Sequence, residues 1–387
     1  MSRIVFHRPA RVHPPQLPTD PVVLAAPPQP AGKDSNASWV MLLMPLLSSI
    51  SMAGYMIVAG KKMLILLGIA FVLLSVGVTV GVRMQLRGTQ NKAKARARDR
   101  YLEHLIEVRR TARQVAADQR VVAAWQHPSP HRLRAIAARR RRVWERRVTD
   151  ADFLKVRIGV GRAPLTTPIR LASRNDPMVE YDQRARTAAE QLIGSMATVG
   201  RQPAVIDLNR AGVVSLLGPA PQARALARAV IAELAVGHAP DDLAIALVTG
   251  GEDWAWAKWL PHTHEPESSG EAGVVPLVAE DFEGIADHLQ ARLTAAREQQ
   301  SARRGLVPDR GAADTRQRLV VLLDGYDPRS AWARSPIAAQ LLDAAGPATA
   351  ITVLCVVERE SDEPTRADLR VRVEADGAVA VEGRRAD

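Results

Sequence analysis

Two long apolar runs, separated by a short charged turn, constrain the fold of this chain more than any other feature. Residues 40–59 and 63–82 contain no ionisable side chain, and only Gly60, Lys61 and Lys62 stand between them. At about 1.5 Å per residue, each run reaches roughly 30 Å as a helix, which matches the hydrocarbon thickness of a bilayer. Because that hydrocarbon offers no hydrogen bonds to the backbone, a spanning run has to be helical. Residues 39–84 therefore predict a transmembrane helical hairpin, with a buried hairpin of a soluble protein as the alternative.

Basic residues beside the apolar runs predict how this hairpin is oriented. The turn offers two lysines, whereas seven basic residues follow the second run closely: Arg83, Arg87, Lys92, Lys94, Arg96, Arg98 and Arg100. The positive-inside bias then places the turn outside the cell and both termini in the cytoplasm. The expected location is the cell membrane, with a multi-pass topology and contacts to membrane lipids.

The positive charge is concentrated in one part of the chain. The 387 residues carry a net charge of +11, but residues 83–147 alone contain 19 Lys and Arg against 5 Asp and Glu. A basic segment next to a membrane attracts anionic headgroups, by about 1 kcal/mol per basic residue. No aromatic residues are interleaved for base stacking, so nucleic acid is not an expected partner. The single cysteine, Cys355, excludes a disulfide within the chain.

The segments around the hairpin have distinct compositions. Residues 1–38 contain eight prolines and predict an extended, mostly disordered cytoplasmic tail, or alternatively a strand docked on a neighbour. Residues 85–150 predict a basic helical stalk of two helices, 89–126 and 131–148, which the proline pair at 128 and 130 separates. An apolar seam of alternating steps of four and three follows the first of these helices: Tyr101, Leu105, Val108, Ala112, Val115, Gln119 and Val122.

Residues 151–387 alternate between short apolar runs and amphipathic segments. Strands are expected at 153–160, 169–171, 205–208, 213–217, 243–248, 274–278, 319–323 and 350–357, and helices at 182–199, 223–236, 281–300 and 331–344. Such alternation predicts an α/β fold with a parallel-rich sheet. A closing hairpin, 369–373 with 378–381, is expected to turn at Asp376-Gly377.

In such a sheet, the loop after a strand at 213–217 is the natural phosphate cradle. Against the pattern G-x-x-x-x-G-K-[ST], Gly218 fits, but Ala223, Arg224 and Ala225 replace the second glycine, the lysine and the Mg²⁺-binding hydroxyl. Pro219 and Pro221 also delete two amide donors from the loop. The loop therefore predicts a degenerate P-loop ATPase-like domain.

The segment 319–324 is an apolar strand that ends in Asp324, as a Walker B segment does. The next residues are Gly325 and Tyr326, so the carboxylate that would orient an attacking water is missing, and Asp327 stands two positions too far along. We expect no catalytic residue here and no enzymatic activity of this chain.

Two further clusters bear on possible binding sites. His262, His264, Glu265 and Glu267 match no common zinc spacing, so a surface loop is favoured and no metal site is predicted. Three tryptophans, Trp254, Trp256 and Trp259, predict packing against the sheet edge, with contact to a partner as the second possibility.

An ordered series of segments resembles EccC, the FtsK/SpoIIIE-family ATPase of type VII (ESX) secretion systems. The segments are FHRP at 6–9, WQHP at 125–128, VWERR at 143–147, DFLKVRIGVG at 152–161, AVIAELAVGHAPDD at 229–242 and WLPH at 259–262. The resemblance covers essentially the whole chain and is with the membrane-proximal half of the family.

The resemblance implies two transmembrane helices, a stalk and a degenerate first ATPase-like domain that couples the membrane complex to protein-export motors. It implies other membrane components of the secretion complex as partners, and assembly as a homo-oligomer. ATP and Mg²⁺ are expected only in the three later motor domains, which the chain does not reach before Asp387. The alternative is the membrane-anchored part of an FtsK-like DNA translocase.

Overall fold

The computed structural model describes residues 8, 10–29, 62–172, 180–264, 276–304 and 316–383, together with ten residues between 44 and 58. The chain divides into two compact units. One combines Met1–Pro15, Arg120–Arg162 and Gly200–Asp387, and the other combines Gln16–Gln119 and Ala163–Val199.

Helix α1 is a single element of 65 residues, Lys62–Gln126. It runs from the second apolar run through the basic segment without a break, because no proline interrupts it before Pro128. A helix of this length extends over about 98 Å. The helix is continuous across residues 84 and 85, where the membrane hairpin and the stalk are expected to meet.

One helical stretch of the described residues is long and apolar enough to cross a membrane, Leu66–Gln85 of α1. Half of the first apolar run lies outside the described residues, and the described part of the chain provides one candidate span and not the expected pair. Among the described residues of the first run, Ser49 shares a hydroxyl–hydroxyl hydrogen bond with Ser75 of α1.

The apolar seam of α1 is buried, as expected, but its partner differs from the predicted one. Tyr101, Leu105, Val108 and Ala112 pack in one cluster with side chains from the tail, from helix α3 (Gln183–Met196) and from neighbouring segments: Leu24, Leu165, Ile169, Ala185, Ala189, Leu192 and Val199. The predicted pairing of this seam with a second stalk helix is wrong for these residues. A heptad pattern indicates that one face of a helix is buried, but it does not identify the element that packs against that face.

The described part of the tail contains an ordered strand. Strand β1 (Val22–Leu24) pairs in parallel with β3 (Ile169–Leu171), and the hydroxyl of Tyr101 donates to the carbonyl of Ala25 at 2.9 Å. In these residues the tail forms a strand paired within its own chain, which differs from the expected disordered arm and from a strand docked on a neighbour. The pairing with β3 gives hydrogen-bond partners to the backbone N–H and C=O groups of β1, which lies between Pro21 and Pro27.

Helix α2 (Pro130–Arg139) is much shorter than the predicted helix 131–148. It ends because Arg140 adopts a left-handed conformation (φ 54°) and donates its N–H to the carbonyls of Ile136 and Ala137. The backbone beyond it forms bends and turns, with Trp144 also left-handed (φ 58°), and the N–H groups of Trp144 and Arg146 bond to carbonyls at the end of helix α4 (Ala220–Gly237). This long-range pairing overrides the helical propensity of the arginine-rich segment.

The main sheet has seven strands in the order β11-β10-β5-β9-β8-β6-β7. Its strands are β5 (Val213–Leu217), β6 (Leu243–Val248), β7 (Val278–Ala279), β8 (Arg318–Asp324), β9 (Ile351–Val357), β10 (Leu369–Val373) and β11 (Val379–Gly383). All neighbouring pairs are parallel except β10 with β11, which are antiparallel. A smaller sheet pairs β2 (Lys155–Pro164) with β4 (Thr198–Asp207). The predicted α/β class with a parallel-rich sheet is confirmed.

Helices cover both faces of the main sheet. Helix α4 packs on one face together with Phe153 and Val156, and helices α5 (Ala286–Arg304) and α6 (Pro336–Ala344) pack on the other. In the described connections, 3-10 helices are formed by Glu252–Trp259, Pro261–Thr263, Glu283–Ile285 and Glu360–Asp362. Because these strands are buried on both faces, their sequences are predominantly apolar and do not alternate between apolar and polar residues. Their carboxyl ends bring the loops after β5, β6 and β8 to one edge of the sheet.

Candidate functional site

The loop after β5 is shaped by contact with β10. Gly218 has φ +154°, its N–H donates to the carbonyl of Val357 at 3.0 Å, and a Cβ at this position would overlap the carbonyl oxygen of Val373. The glycine that fits the phosphate-loop pattern is therefore needed for the close approach of β10.

The first turn of α4 has few amides to offer an anion. Its N-cap is Pro219 and the second helical residue is Pro221, which has no N–H. The next two amides, of Gln222 and Ala223, both donate back to the carbonyl of Pro219 at 3.0 Å. Ala223 is buried and Ala225 is exposed without a hydroxyl. This donor set does not match what a Mg·nucleotide needs at a helix N-terminus.

Arg224 and Asp324, the two charged members of the predicted degenerate site, contact one another directly. The Nε of Arg224 donates to Oδ1 of Asp324 at 2.9 Å and to Oδ2 at 3.1 Å. The Asp324 side chain is 5% exposed and that of Arg224 is 35% exposed. The hydrogen bond with Asp324 raises the pKa of the Arg224 guanidinium above its ordinary value. The cation at the lysine position of the loop thus neutralises the Walker B-like acid.

Two residues that the sequence analysis did not connect with Asp324 complete its surroundings. The indole Nε1 of the fully buried Trp254 donates to Oδ2 of Asp324 at 2.9 Å, and the Thr249 hydroxyl donates to the same oxygen at 3.4 Å. Both follow β6, the neighbour of β8. The sequence could have indicated this contact, because neighbouring parallel strands bring the loops at their carboxyl ends together.

The three tryptophans have different surroundings. Trp254 is buried and stacks with Trp256 at a centroid distance of 6.0 Å, and Trp256 donates its indole N–H to the carbonyl of Asp253. Trp259 is 88% exposed. Trp254 and Trp256 belong to the packing of the sheet edge, whereas Trp259 is available at the surface.

The histidines considered as metal ligands are held by backbone carbonyls. His262 is buried and its Nε2 donates to the carbonyl of His238 at 2.8 Å, while Nδ1 of His264 contacts the carbonyl of Leu260. Glu265 and Glu267 lie outside the described residues. Within the described part of the chain, no cluster of three or more potential ligands could hold a metal ion. The predicted surface loop is wrong for His262, because Trp144 packs edge-on against its ring.

A buried ionic network lies away from the sheet edge, and the sequence analysis did not identify it as a site. The guanidinium of Arg146 donates to Oε1 of Glu233 at 3.0 Å and to the carbonyls of Gln126 and Lys155 at 2.7 Å each. The Arg146 and Glu233 side chains are 3% and 4% exposed. Glu233 was a detectable signal, since it is the only charged residue in the apolar segment 229–236, and a buried carboxylate needs a partner.

The carboxylate of Glu233 is kept ionised by its neighbours. Burial alone raises the pKa of Glu233, but the interaction with His127, the charge of Arg146 and the N–H of Arg157 outweigh burial and leave this pKa below its ordinary value. The N–H of Arg157 donates to Oε2 at 2.7 Å. Glu233 therefore ties the end of α1, the segment after α2 and strand β2 to helix α4.

His238 occupies the end of α4 as a neutral ring. Its Nε2 accepts the N–H of Leu154 at 3.0 Å, and its Nδ1 donates to the carbonyl of Leu234 at 3.0 Å. Burial, reinforced by the charge of Arg146, lowers the pKa of His238 from its ordinary 6.5 to about 3. Protonation would remove the acceptor that the backbone of Leu154 uses.

We expect His238 to make the folded state sensitive to acid. Below about pH 6.5 the unfolded chain gains a proton on this ring while the folded chain does not, so stability falls as the pH drops from 6.5 toward 3. The loss is about 1.4 kcal/mol per pH unit. Denaturant unfolding across this range should therefore show a shallower pH dependence for His238→Asn than for wild type. The exposed His131→Asn is the control and should keep the wild-type dependence; equal slopes for all three proteins would refute the assignment.

Two arginines of the N-terminal tail close this region. Arg8 donates to the carbonyls of Trp144 and Arg146 and pairs with Asp242 at 2.8 Å. Arg11 pairs with Asp150 and Asp152. The tail is therefore fastened to the same segments that the Arg146–Glu233 pair joins.

The segments that carry the family resemblance meet around this network. Arg8, Gln126, Arg146, Asp152 and Glu233 come from five of the six segments, and His262 of the sixth bonds to the carbonyl of His238. The resemblance thus corresponds to a buried structural network, and not to the nucleotide-like edge of the sheet.

Comparisons with known proteins identify relatives of this chain. The chain is 31% identical over 286 residues to the ESX-4 secretion system protein EccC4 of Mycobacterium tuberculosis (strain ATCC 25618 / H37Rv), a match that covers 70% of this chain and 23% of that protein. It is 30% identical over 283 residues to the ESX secretion system protein EccC of Thermomonospora curvata, covering 72% and 21%. The chain thus spans about a fifth of the length of these curated relatives.

A solved structure described as the cytoplasmic domain of the Thermomonospora curvata type VII secretion ATPase EccC matches 60% of this chain and 25% of that chain, at 17% identity and a TM-score of 0.33. No protein-family model matches the chain. On the sequence identities over some 70% of its length, the chain belongs to the EccC family of ESX (type VII) secretion proteins.

Proposed function

We propose that this chain anchors an ESX secretion motor in the membrane and couples it to the export ATPase domains, with residues 151–387 acting as a pseudo-ATPase. The observation that carries the proposal is the closed state of the Asp324 carboxylate. Arg224, Trp254 and Thr249 occupy the oxygens that a Walker B acid would turn toward Mg²⁺ and water. ATP and Mg²⁺ would act in other domains of the motor, whether on this polypeptide or on another.

The apolar surface of α1 supports the anchoring role. Within Leu66–Gln85, side chains such as Leu73, Leu74 and Val78 are more than half exposed, which suits contact with lipid rather than with water. The hydrogen bond between Ser49 and Ser75 supports a second helix beside it, since hydroxyl pairs of this kind hold membrane helices together. A two-span topology with both termini in the cytoplasm is part of this proposal.

The continuity of α1 supports the coupling role. One helix carries the candidate span and ends at Gln126, whose carbonyl accepts a hydrogen bond from Arg146 of the buried network. The span and the network therefore share one continuous element. Other membrane components of the secretion complex, further copies of this chain and lipid are the proposed partners, and the exposed Trp259 is a proposed contact for one of them.

Isothermal calorimetry of the full chain in nanodiscs tests the pseudo-ATPase. We expect no saturable heat of binding with Mg·ATP up to about 1 mM, which corresponds to a binding free energy weaker than about −4 kcal/mol. Saturable micromolar binding that Arg224→Ala abolishes, and that the exposed-arginine control Arg210→Ala retains, would overturn the proposal.

A further inference from the structure

A groove between the end of α1 and helix α2 has no role in the function proposed above. It encloses about 540 Å³, a volume typical of ligand-binding clefts. Its apolar lining includes Val12, Trp125, Pro128 and Ile136. Trp125 is 38% exposed and Val12 is 58% exposed, so part of the apolar lining is accessible to a ligand.

The floor of this groove is held in place by its own contacts. The guanidinium of Arg142 lies 4.0 Å from the centroid of the Trp125 ring, donates to the carbonyl of Trp125 at 2.9 Å and pairs with Glu145. The Arg142 side chain is 15% exposed. Because Arg142 is neutralised by Glu145 and fixes the indole, the groove is formed before anything binds.

The rim of the groove is strongly basic. Residues 121–144 contain six arginines and no acidic residue. Arg132, Arg139 and Arg141 line the groove and are exposed. In the described part of the chain, none of these three forms a salt bridge within 4.0 Å, so their charge is available to an incoming group.

We propose that this groove binds an acidic amphipathic segment of a partner protein, with apolar side chains on Trp125 and Ile136 and carboxylates at the arginine rim. A concave apolar floor with charges at its edge matches the helix-in-groove mode of peptide recognition. A bilayer would meet the rim but not fill the cavity. A nucleic acid would leave the apolar floor uncovered, and a single tryptophan provides little base stacking.

Fluorescence anisotropy with a designed peptide tests this proposal on the full chain in nanodiscs of zwitterionic lipid. The probe is a labelled helix of about 16 residues with glutamates on one face and leucines on the other. Two matched peptides replace the glutamates by glutamine or the leucines by serine. We expect the acidic amphipathic peptide to bind with a Kd of about 10–100 µM and both matched peptides to bind at least tenfold more weakly.

Charge reversal then locates the binding. Arg139→Glu/Arg141→Glu should weaken binding of the acidic peptide by about tenfold and strengthen binding of a peptide in which lysines replace the glutamates. The control Arg162→Glu/Arg210→Glu should leave the affinity for both peptides unchanged. Trp125→Ala should weaken binding without reversing the charge preference.

Three results would overturn the proposal. In the first, the glutamate and glutamine peptides bind equally well. In the second, the groove variant and the control variant lose binding equally. In the third, anionic vesicles or duplex DNA bind the groove more tightly than the peptide does and lose that binding in Arg139→Glu/Arg141→Glu, which would assign the groove to a lipid headgroup or to nucleic acid.

Discussion

Replacing Glu233 with alanine is expected to lower the free energy of unfolding by about 3–5 kcal/mol, because it removes the nearer carboxylate partner of the buried Arg146 and leaves Asp152, 3.6 Å from its Nε, as the remaining one in the described residues. The side chains of both residues are less than 5% exposed, so water cannot replace the lost carboxylate. The N–H of Arg157 loses its acceptor as well. Thermal unfolding of the full chain should show a decrease in Tm of roughly 6–20 °C.

The control for this prediction is a solvated ion pair of the same kind. Arg186 and Glu190 pair at 2.9 Å with side chains 41% and 59% exposed, so Glu190→Ala should cost less than about 0.5 kcal/mol. A double variant, Arg146→Met/Glu233→Leu, should fall between wild type and Glu233→Ala. It removes the buried charge but leaves the carbonyls of Gln126 and Lys155 unpaired. If Glu233→Ala and Glu190→Ala had equal effects on the free energy of unfolding, the burial of the Arg146–Glu233 pair would not determine its contribution to stability.

The strands of the main sheet were predictable because a strand buried on both faces appears in the sequence as a short, predominantly apolar run. Strands β5, β6, β8 and β9 are predominantly apolar, with Ser215 and Thr352 as the interior exceptions and charged residues at both ends of β8, and each lies within a residue of its predicted bounds. Residues 141–148 were not predictable in the same way. Their arginine-rich composition favours a helix, but the burial of Arg146 and the backbone bonds to α4 hold these residues in an irregular segment of bends and turns.

For the candidate site, the sequence supplied the members but not their contacts. Arg224 and Asp324 were recognised separately, as substitutes in two halves of a nucleotide motif. They are 100 residues apart, and their contact depends on the strand order β5-β9-β8, which places both at one edge of the sheet. The part played by Trp254 depends on β6 lying next to β8. Pairings of this range are set by tertiary structure, which local patterns do not encode.

Gly218→Ala is expected to destabilise the fold by about 3–5 kcal/mol, from backbone strain together with overpacking. The new Cβ would overlap the carbonyl oxygen of Val373 and lie 3.1 Å from its carbonyl carbon, so β10 has to move. Because these atoms belong to the backbone of β10, which is paired with β5 and β11 on its two sides, a rotamer change cannot relieve the contact. We expect a lower midpoint in denaturant and faster hydrogen exchange of the β10–β11 amides.

Gly377→Ala separates steric overlap from backbone strain. Gly377 has φ +84° in the hairpin turn, and no atom lies within 4 Å of the position that a Cβ would take there. Its replacement should therefore cost only the strain of a left-handed residue, about 1–2 kcal/mol. If Gly218→Ala lowers the free energy of unfolding by no more than Gly377→Ala does, close packing against β10 does not require a glycine at position 218. Its retention would then point back to a phosphate in the loop, and the pseudo-ATPase would lose its main structural argument. A much larger loss of stability in Gly218→Ala than in Gly377→Ala would instead mean that packing against β10 alone accounts for Gly218, the one residue of this loop that fits the nucleotide motif.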